Sequence, residues 1–170
     1  MRAAQVIMSV AVALLAGCSH HDSDPGISAA STMTSAAPLV PPPNPNDMVA
    51  WRAFLGKAIL AETHDSKLHP YAFVVPAGDA AVAAQQRRGE AIAVHGLLGR
   101  TAVPGNMLAL TGPDSIQVTE VINEAFKDVP AQGARGLTIL YIGAPTSAVK
   151  AQAIVQAAGA ELRMRPMRSP

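Results

Sequence analysis

Apolar residues change their spacing several times after Asn46, and each change marks an element. "NDMVAWRAFLGKAILAETHDS" opens on capping residues and then runs apolar at Met48, Trp51, Leu55 and Ala58, with Phe54 and Ile59 widening the stripe. Arg52, Lys57 and Glu62 take the wet positions, so the spacing predicts an amphipathic helix over Met48 to Thr63. Trp51 reads as its core anchor.

Three later stretches share one plan: a short apolar run, a glycine, then a helix former. They are "YAFVVPAGDAAVAAQ" around Gly78, "NMLALTGPDSIQVTEVI" around Gly112 and "LTILYIGAPTSAVKAQAIV" around Gly143. The glycines lie 34 and 31 residues apart, close to the roughly 30 residues that a strand, a helix and a return require. The runs are apolar throughout rather than alternating, as in strands covered on both faces.

Val118, Val121, Ile122, Ala125 and Val129 make one helical stripe, which Pro130 ends. Asp114 can cap that helix, with Gln117 three residues on in the manner of a capping box. The last helix opens near Thr146 or Ser147 and stops at Gly159. "AELRMRPM" alternates Leu162 and Met164 with Arg163 and Arg165, the pattern of an edge strand with one wet face. Between Gly89 and Pro104 the pattern leaves open whether the second helix continues or restarts.

The sum is α-β-α-β-α-β-α-β. It predicts an α/β fold, a small three-layer α/β/α domain with about four mainly parallel strands. By analogy alone, the expected strand order is flavodoxin-like.

The first residues follow a different logic. "MRAAQ" carries one positive charge, Arg2, and "VIMSVAVALLAG" is apolar for twelve residues. That matches the h-region of a secretory signal and is too short for a spanning helix, which needs about 20 residues. Leu15-Ala16-Gly17-Cys18 resembles the lipobox of bacterial lipoproteins. The resemblance covers only the leader. It implies cleavage before Cys18, a diacylglycerol thioether on that sulfur, and usually acylation of the new amine with a fatty acid such as palmitate. More than one acyl chain anchors stably where one does not. Ser19 follows. In the enteric sorting pattern an Asp there favours the inner membrane, so its absence implies an outer-membrane address facing the periplasm.

Residues Ser19 to Asn46 hold six of the fourteen prolines and show no helical or alternating period. They read as a disordered tether, spanning on average roughly 30 Å as a coil and about 85 Å as extended polyproline II. The domains are then a signal peptide at 1–17, a lipidated N-terminus and linker at 18–46, and the α/β domain at 47–170. "HHDSD" (His20 to Asp24) reads as a polar spacer rather than a metal site, because a floppy segment must lose entropy to close around an ion.

Composition narrows the possibilities. Aromatic residues make up only 4% of 170, so the core is built from Ala, Val, Ile and Leu. A formal charge of +1 gives no electrostatic footprint for nucleic acid. The single Cys cannot form an intrachain disulfide.

In open α/β sheets, ligands bind beyond the carboxyl ends of the strands. The candidate ligand residues are therefore Gly78 and Asp79, Gly112, Asp114 and Ser115, and Gly143 and Thr146. Each loop feeds a helix N-terminus able to attract an anion, although Asp79 and Asp114 would repel one. The bland reading is that these are ordinary helix starts. No GxGxxG or Walker A pattern calls for a nucleotide cofactor, and no metal site is marked.

Ser147-Ala-Val-Lys150 matches S-x-x-K, the nucleophile motif of penicillin-binding proteins and β-lactamases. The S-D-N and K-T-G partners of that family are absent. Ser147 as a cap and Lys150 as a solvated first-turn residue is the better reading. His64 and His69 could clamp a metal with Asp65, but no third strong ligand is marked. His95 reads as a boundary residue with one satisfied nitrogen. Arg163, Arg165 and Arg168 could touch anionic envelope polymers, but they read better as a solvated edge and tail.

The sequence therefore supports a lipid-anchored interaction module that is not an enzyme. Its partners would be the membrane, through Cys18, and an envelope protein. The alternative is a small-ligand binder or hydrolase built on the three glycine loops.

Overall fold

The computed structural model describes residues 37–64 and 67–168. The leader, Cys18, the His20–Asp24 stretch and Asp65 lie outside the described residues. Helices and strands alternate as α1 (Met48–Thr63), β1 (His69–Val74), α2 (Ala81–Thr101), β2 (Asn106–Thr111), α3 (Ser115–Phe126), β3 (Thr138–Gly143), α4 (Pro145–Ala157) and β4 (Glu161–Pro166). All three strand pairings are parallel, so the domain is α/β with a four-stranded parallel sheet.

The strand order is β1-β2-β3-β4, which corrects the flavodoxin-like expectation. Apolar patterning sets which residues are strands. It carries no information about which side of the sheet the chain returns to. Because right-handed crossovers dominate, a strictly sequential order sends every crossover helix to the same face. α2, α3 and α4 do share one core: Val94 and Leu98, Val118, Ile122 and Phe126, and Ala151 and Val155 close over Leu108, Leu110, Ile139, Tyr141 and Leu162. α1 covers the opposite face, where Trp51, Leu55, Ala58 and Ile59 pack on Met107, Ala109, Leu140 and Ile142. Alternate residues of β2 and β3 thus feed opposite cores, as the period of a strand requires. Burying each large apolar side chain contributes roughly 1.5–3 kcal/mol.

Local signals set the helix ends. The Asp47 carboxylate accepts from the N–H groups of Val49 and Ala50, and α1 keeps the expected bounds. α4 opens at Pro145 with Ala144 as N-cap, so Ser147 lies inside the first turn and is not the cap. α2 runs unbroken through Gly89, Gly96 and Gly99.

Two expectations change on packing. The described part of the proline-rich segment belongs to the folded unit. Leu39 bridges Met167 in parallel, its N–H donating to Pro166 O and its carbonyl accepting from Arg168 N. The Trp51 indole N–H donates to Asn44 O at 3.2 Å. Glu62, expected to be wet, pairs with Arg165 of β4; their side chains are only 10% and 13% exposed. The alternating arginines of β4 face the α1 side, and one of them is therefore drawn under the helix.

Gly89 and Gly96 lie in the interior of α2, have no positive φ, and have open space where a Cβ would stand. Gly89→Ala and Gly96→Ala are each expected to raise stability by about 0.5–1 kcal/mol, since glycine loses more backbone entropy on folding than alanine. The urea midpoint should rise at unchanged slope. A fall would mean that α2 needs glycine for a reason outside the monomer.

Candidate functional site

The carboxyl end of the sheet is where the three glycine loops meet the N-termini of α2, α3 and α4. Each glycine has a structural cause. Gly78 sits at φ +105°, a conformation that side chains disfavour. At Gly112 an added Cβ would stand 2.3 Å from the Val75 carbonyl oxygen. At Gly143 it would stand 2.6 Å from the Tyr141 hydroxyl. At Gly112 and Gly143 the residue is small because protein groups pass close to it.

Several polar groups of these loops are engaged from within the domain. Gly78 N–H donates to the Gln117 side-chain oxygen at 3.1 Å. Arg87 donates to the carbonyls of Pro76 and Gly78, at 3.2 and 2.7 Å. Asp114 caps α3 by accepting from Ile116 and Gln117 N–H. Ala144 N–H, at the mouth of α4, donates to Ser115 Oγ at 2.9 Å. Gln117 therefore does not complete a capping box on its own helix; it ties the β1 loop to α3. Asp79 is exposed, and Ala80 takes the N-cap of α2 without a side-chain cap bond.

Behind Gly143 lies a set of buried hydroxyls. Tyr141 is fully buried. Its hydroxyl can donate to Ser115 O at 3.3 Å or Ala144 O at 3.4 Å. Thr119 Oγ1 reaches Ser115 O at 3.0 Å and Ser147 O at 3.2 Å. Burial pushes the Tyr141 hydroxyl above the usual tyrosine range, and the neighbouring hydroxyls of Thr119, Ser115 and Ser147 partly oppose this. Ser147 is buried in this cluster, whereas Lys150, three residues on, is exposed. Among the described residues no hydrogen bond or ion pair joins the two. A serine nucleophile needs a base within hydrogen-bond reach, and this pair does not supply one.

What stays open at this end is a groove of about 420 Å³ between α3 and α4, lined by Ile116, Thr119, Glu120, Thr146, Ser147 and Lys150, together with Asn123. A second groove, of about 380 Å³, lies between α2 and α3 beside Arg87, Arg88, Glu120 and Glu124. Of the candidates, Thr146, Ser147 and Lys150 meet at the first groove. Gly78, Gly112, Asp114, Ser115 and Gly143 do not line it.

The histidines are placed separately. His95 Nδ1 lies 2.8 Å from Ala125 O, the single satisfied nitrogen expected. His64 caps the C-terminus of α1, and His69 stands on the exposed first strand. Among the described residues no three His, Cys, Asp or Glu side chains gather as a metal site. Nor is any described helix long and apolar enough to cross a membrane. Arg163 pairs with Glu161 at 2.8 Å.

Pattern reading missed Arg87, Gln117 and Tyr141 as the groups that close this end. Their roles depend on contacts between separate units, which spacing within one unit does not encode. Comparison with protein-family models, curated proteins and solved structures finds no match.

Gly112→Ala should cost on the order of 1–3 kcal/mol, as forced overpacking does, read as a lower urea midpoint. Tyr141→Phe tests the hydroxyl cluster by pH. With its pKa raised in the folded state, Tyr141 contributes stability that is complete below about pH 10 and lost as pH rises toward the folded pKa. The Phe variant should show a shallower alkaline decline in Tm. An unchanged decline would assign it to other groups.

Proposed function

We propose that this protein is a lipoprotein held at the outer membrane through Cys18. Its α/β domain would act in the periplasm as a non-catalytic interaction module, accessory to an assembly of the cell envelope. The observation that carries the reading is Leu15-Ala16-Gly17-Cys18, in which Cys18 directly follows the twelve-residue apolar run Val6 to Gly17. Part of each loop is engaged from within the domain, by Gln117 on Gly78, by the Asp114 cap of α3 and by Ser115 on Ala144, which supports the non-catalytic part.

The second reading is a small-ligand binder or small hydrolase. It uses the strand–helix loops at Gly78, Gly112 and Gly143, and the open space nearest them is the α3–α4 groove, where Thr146, Ser147 and Lys150 meet. A thermal-shift screen with sugar phosphates, nucleotides and peptidoglycan fragments separates the two. A shift abolished by Lys150→Met would favour the ligand reading.

Cys18→Ser should abolish labelling by radioactive palmitate and move the chain from the membrane to the soluble fraction. Mass spectrometry of the native chain should find a diacylated Cys18 as the first residue. A chain with its amino end upstream of Cys18 and no fatty acid would sink the proposal.

A further inference from the structure

A helix that covers one side of a sheet ordinarily turns a polar face to solvent. α1 does not. Trp51, Leu55, Ala58 and Ile59 point into the core. On the opposite side stand Val49, 75% exposed, Ala53, Gly56 and Leu60, 70% exposed. These four fall within about 60° of one another around the helix axis, and Val49 and Leu60 lie about 16 Å apart along it. Arg52 flanks the apolar strip on one side, and Lys57 and His64 flank it on the other; all three are exposed.

No carboxylate shares this face. Glu62, the one acidic residue of α1, is turned inward and paired with Arg165. Asp47 is held as the N-cap. Arg52 also lies within electrostatic range of Glu90, a half-buried residue of α2. The α2–α4 layer is different. Val82, Ile92, Ile116 and Val149 are exposed there, but so are Glu120, Glu124 and Asp128. An anionic surface would be repelled by that layer and attracted by α1.

This charge pattern selects the occupant. A second copy of the chain would set Arg52 and Lys57 against the same cations, with no carboxylate on either face to meet them. An anionic lipid surface suits both parts of the pattern. Apolar side chains enter the boundary between headgroups and acyl chains, and long cationic side chains reach the headgroups beside them. Such a surface is also close by. Nineteen positions separate Cys18 from Ala37, a reach of about 65 Å at full extension, and α1 is the first described helix beyond them. Tethering at that range raises the effective concentration, so a contact too weak to hold a free domain is populated in an anchored one.

We propose that the outer face of α1 docks on the anionic lipid surface that anchors Cys18, with Val49 and Leu60 inserted and Arg52 and Lys57 on headgroups. The anchor rests on the lipoprotein reading above; the docking face adds an orientation. It turns the α2–α4 layer and its two grooves away from the lipid, where a partner can reach them.

The test uses the full lipidated chain in vesicles of phosphatidylethanolamine and phosphatidylglycerol. Acylation consumes the Cys18 thiol, so a nitroxide on Ala53→Cys, or on Ala93→Cys of α2 as control, reports a single position. Both alanines are exposed. The label at 53 should be more accessible to oxygen and less accessible to an aqueous nickel complex than the label at 93. Arg52→Gln with Lys57→Gln should release it, since each cation near an anionic surface contributes about fivefold in affinity. Mass spectrometry of the vesicle-bound chain reports the acyl groups separately. Should Cys18 prove unmodified, the anchor fails on its own, and the same labels in a Cys18→Ser chain on phosphatidylglycerol vesicles still test the face. A label at 53 as water-accessible as the label at 93 overturns the proposal, even if a protein is found bound to α1. So does immersion that the double variant leaves unchanged.

Discussion

The constraint on which the rest of the structure depends is the sequential parallel sheet. Four strands laid down in chain order, each joined to the next by a right-handed crossover, place every connecting helix on one face. α2, α3 and α4 therefore build one deep core, and Tyr141 and Phe126 are fully buried there. The other face receives no crossover helix at all. α1 arrives before the sheet begins and is the one described helix that covers it. That asymmetry explains why Trp51, the largest apolar side chain available, lies in α1 and is buried. A single helix must fill a layer that three helices fill on the other side.

The same constraint acts on the carboxyl end of the sheet. Ligand crevices of open α/β sheets form where adjacent crossovers leave in opposite directions and pull the loops apart. Here every crossover leaves in the same direction, so consecutive loops stay in contact. Val75 O stands against Gly112, Gln117 of the α3 unit bonds to Gly78, and Ser115 of that unit bonds to Ala144. The first and third loops thus each donate a hydrogen bond to the α3 unit between them. Buried backbone donors need partners, and in a singly wound sheet the nearest ones come from the adjacent repeat. Gly112 and Gly143 are small for this reason, Gly78 for its positive φ, and their regular spacing follows the repeat of the fold.

What could be read in advance divides along the same line. The bounds of α1, the apolar runs of β2 and β3, the stripe of α3, the Asp114 cap and the alternation of β4 were legible. Each is set by neighbours within a few residues. The strand order was not, because the direction in which the chain steps across the sheet is decided by packing between units. Ser147 had the identity of a cap, but Pro145 begins α4 earlier and Ser147 turns into the Tyr141 cluster. Glu62 had the identity of a solvated residue, and only the path of β4 brings Arg165 to it. At the candidate site, local reading found the residue types correctly. It could not tell that Gly78 and Ala144 would each bond to a side chain of the α3 unit.

The proline-rich segment shows how composition can mislead about order. Prolines at 38, 41, 42, 43 and 45 suggest a spacer, since they exclude helix and most sheet positions. Yet a chain already restricted in φ loses less entropy when it is fixed. Such a segment is suited to pack against a surface with few hydrogen bonds of its own. Residues 37–46 do this: Leu39 joins the α1-side core, Asn44 O accepts from the Trp51 indole, and Pro41 and Pro43 stand beside Trp51 and Met167. The segment thereby covers part of the face that lacks a second helix. The segment is therefore part of the fold's own cover before it is part of any leash.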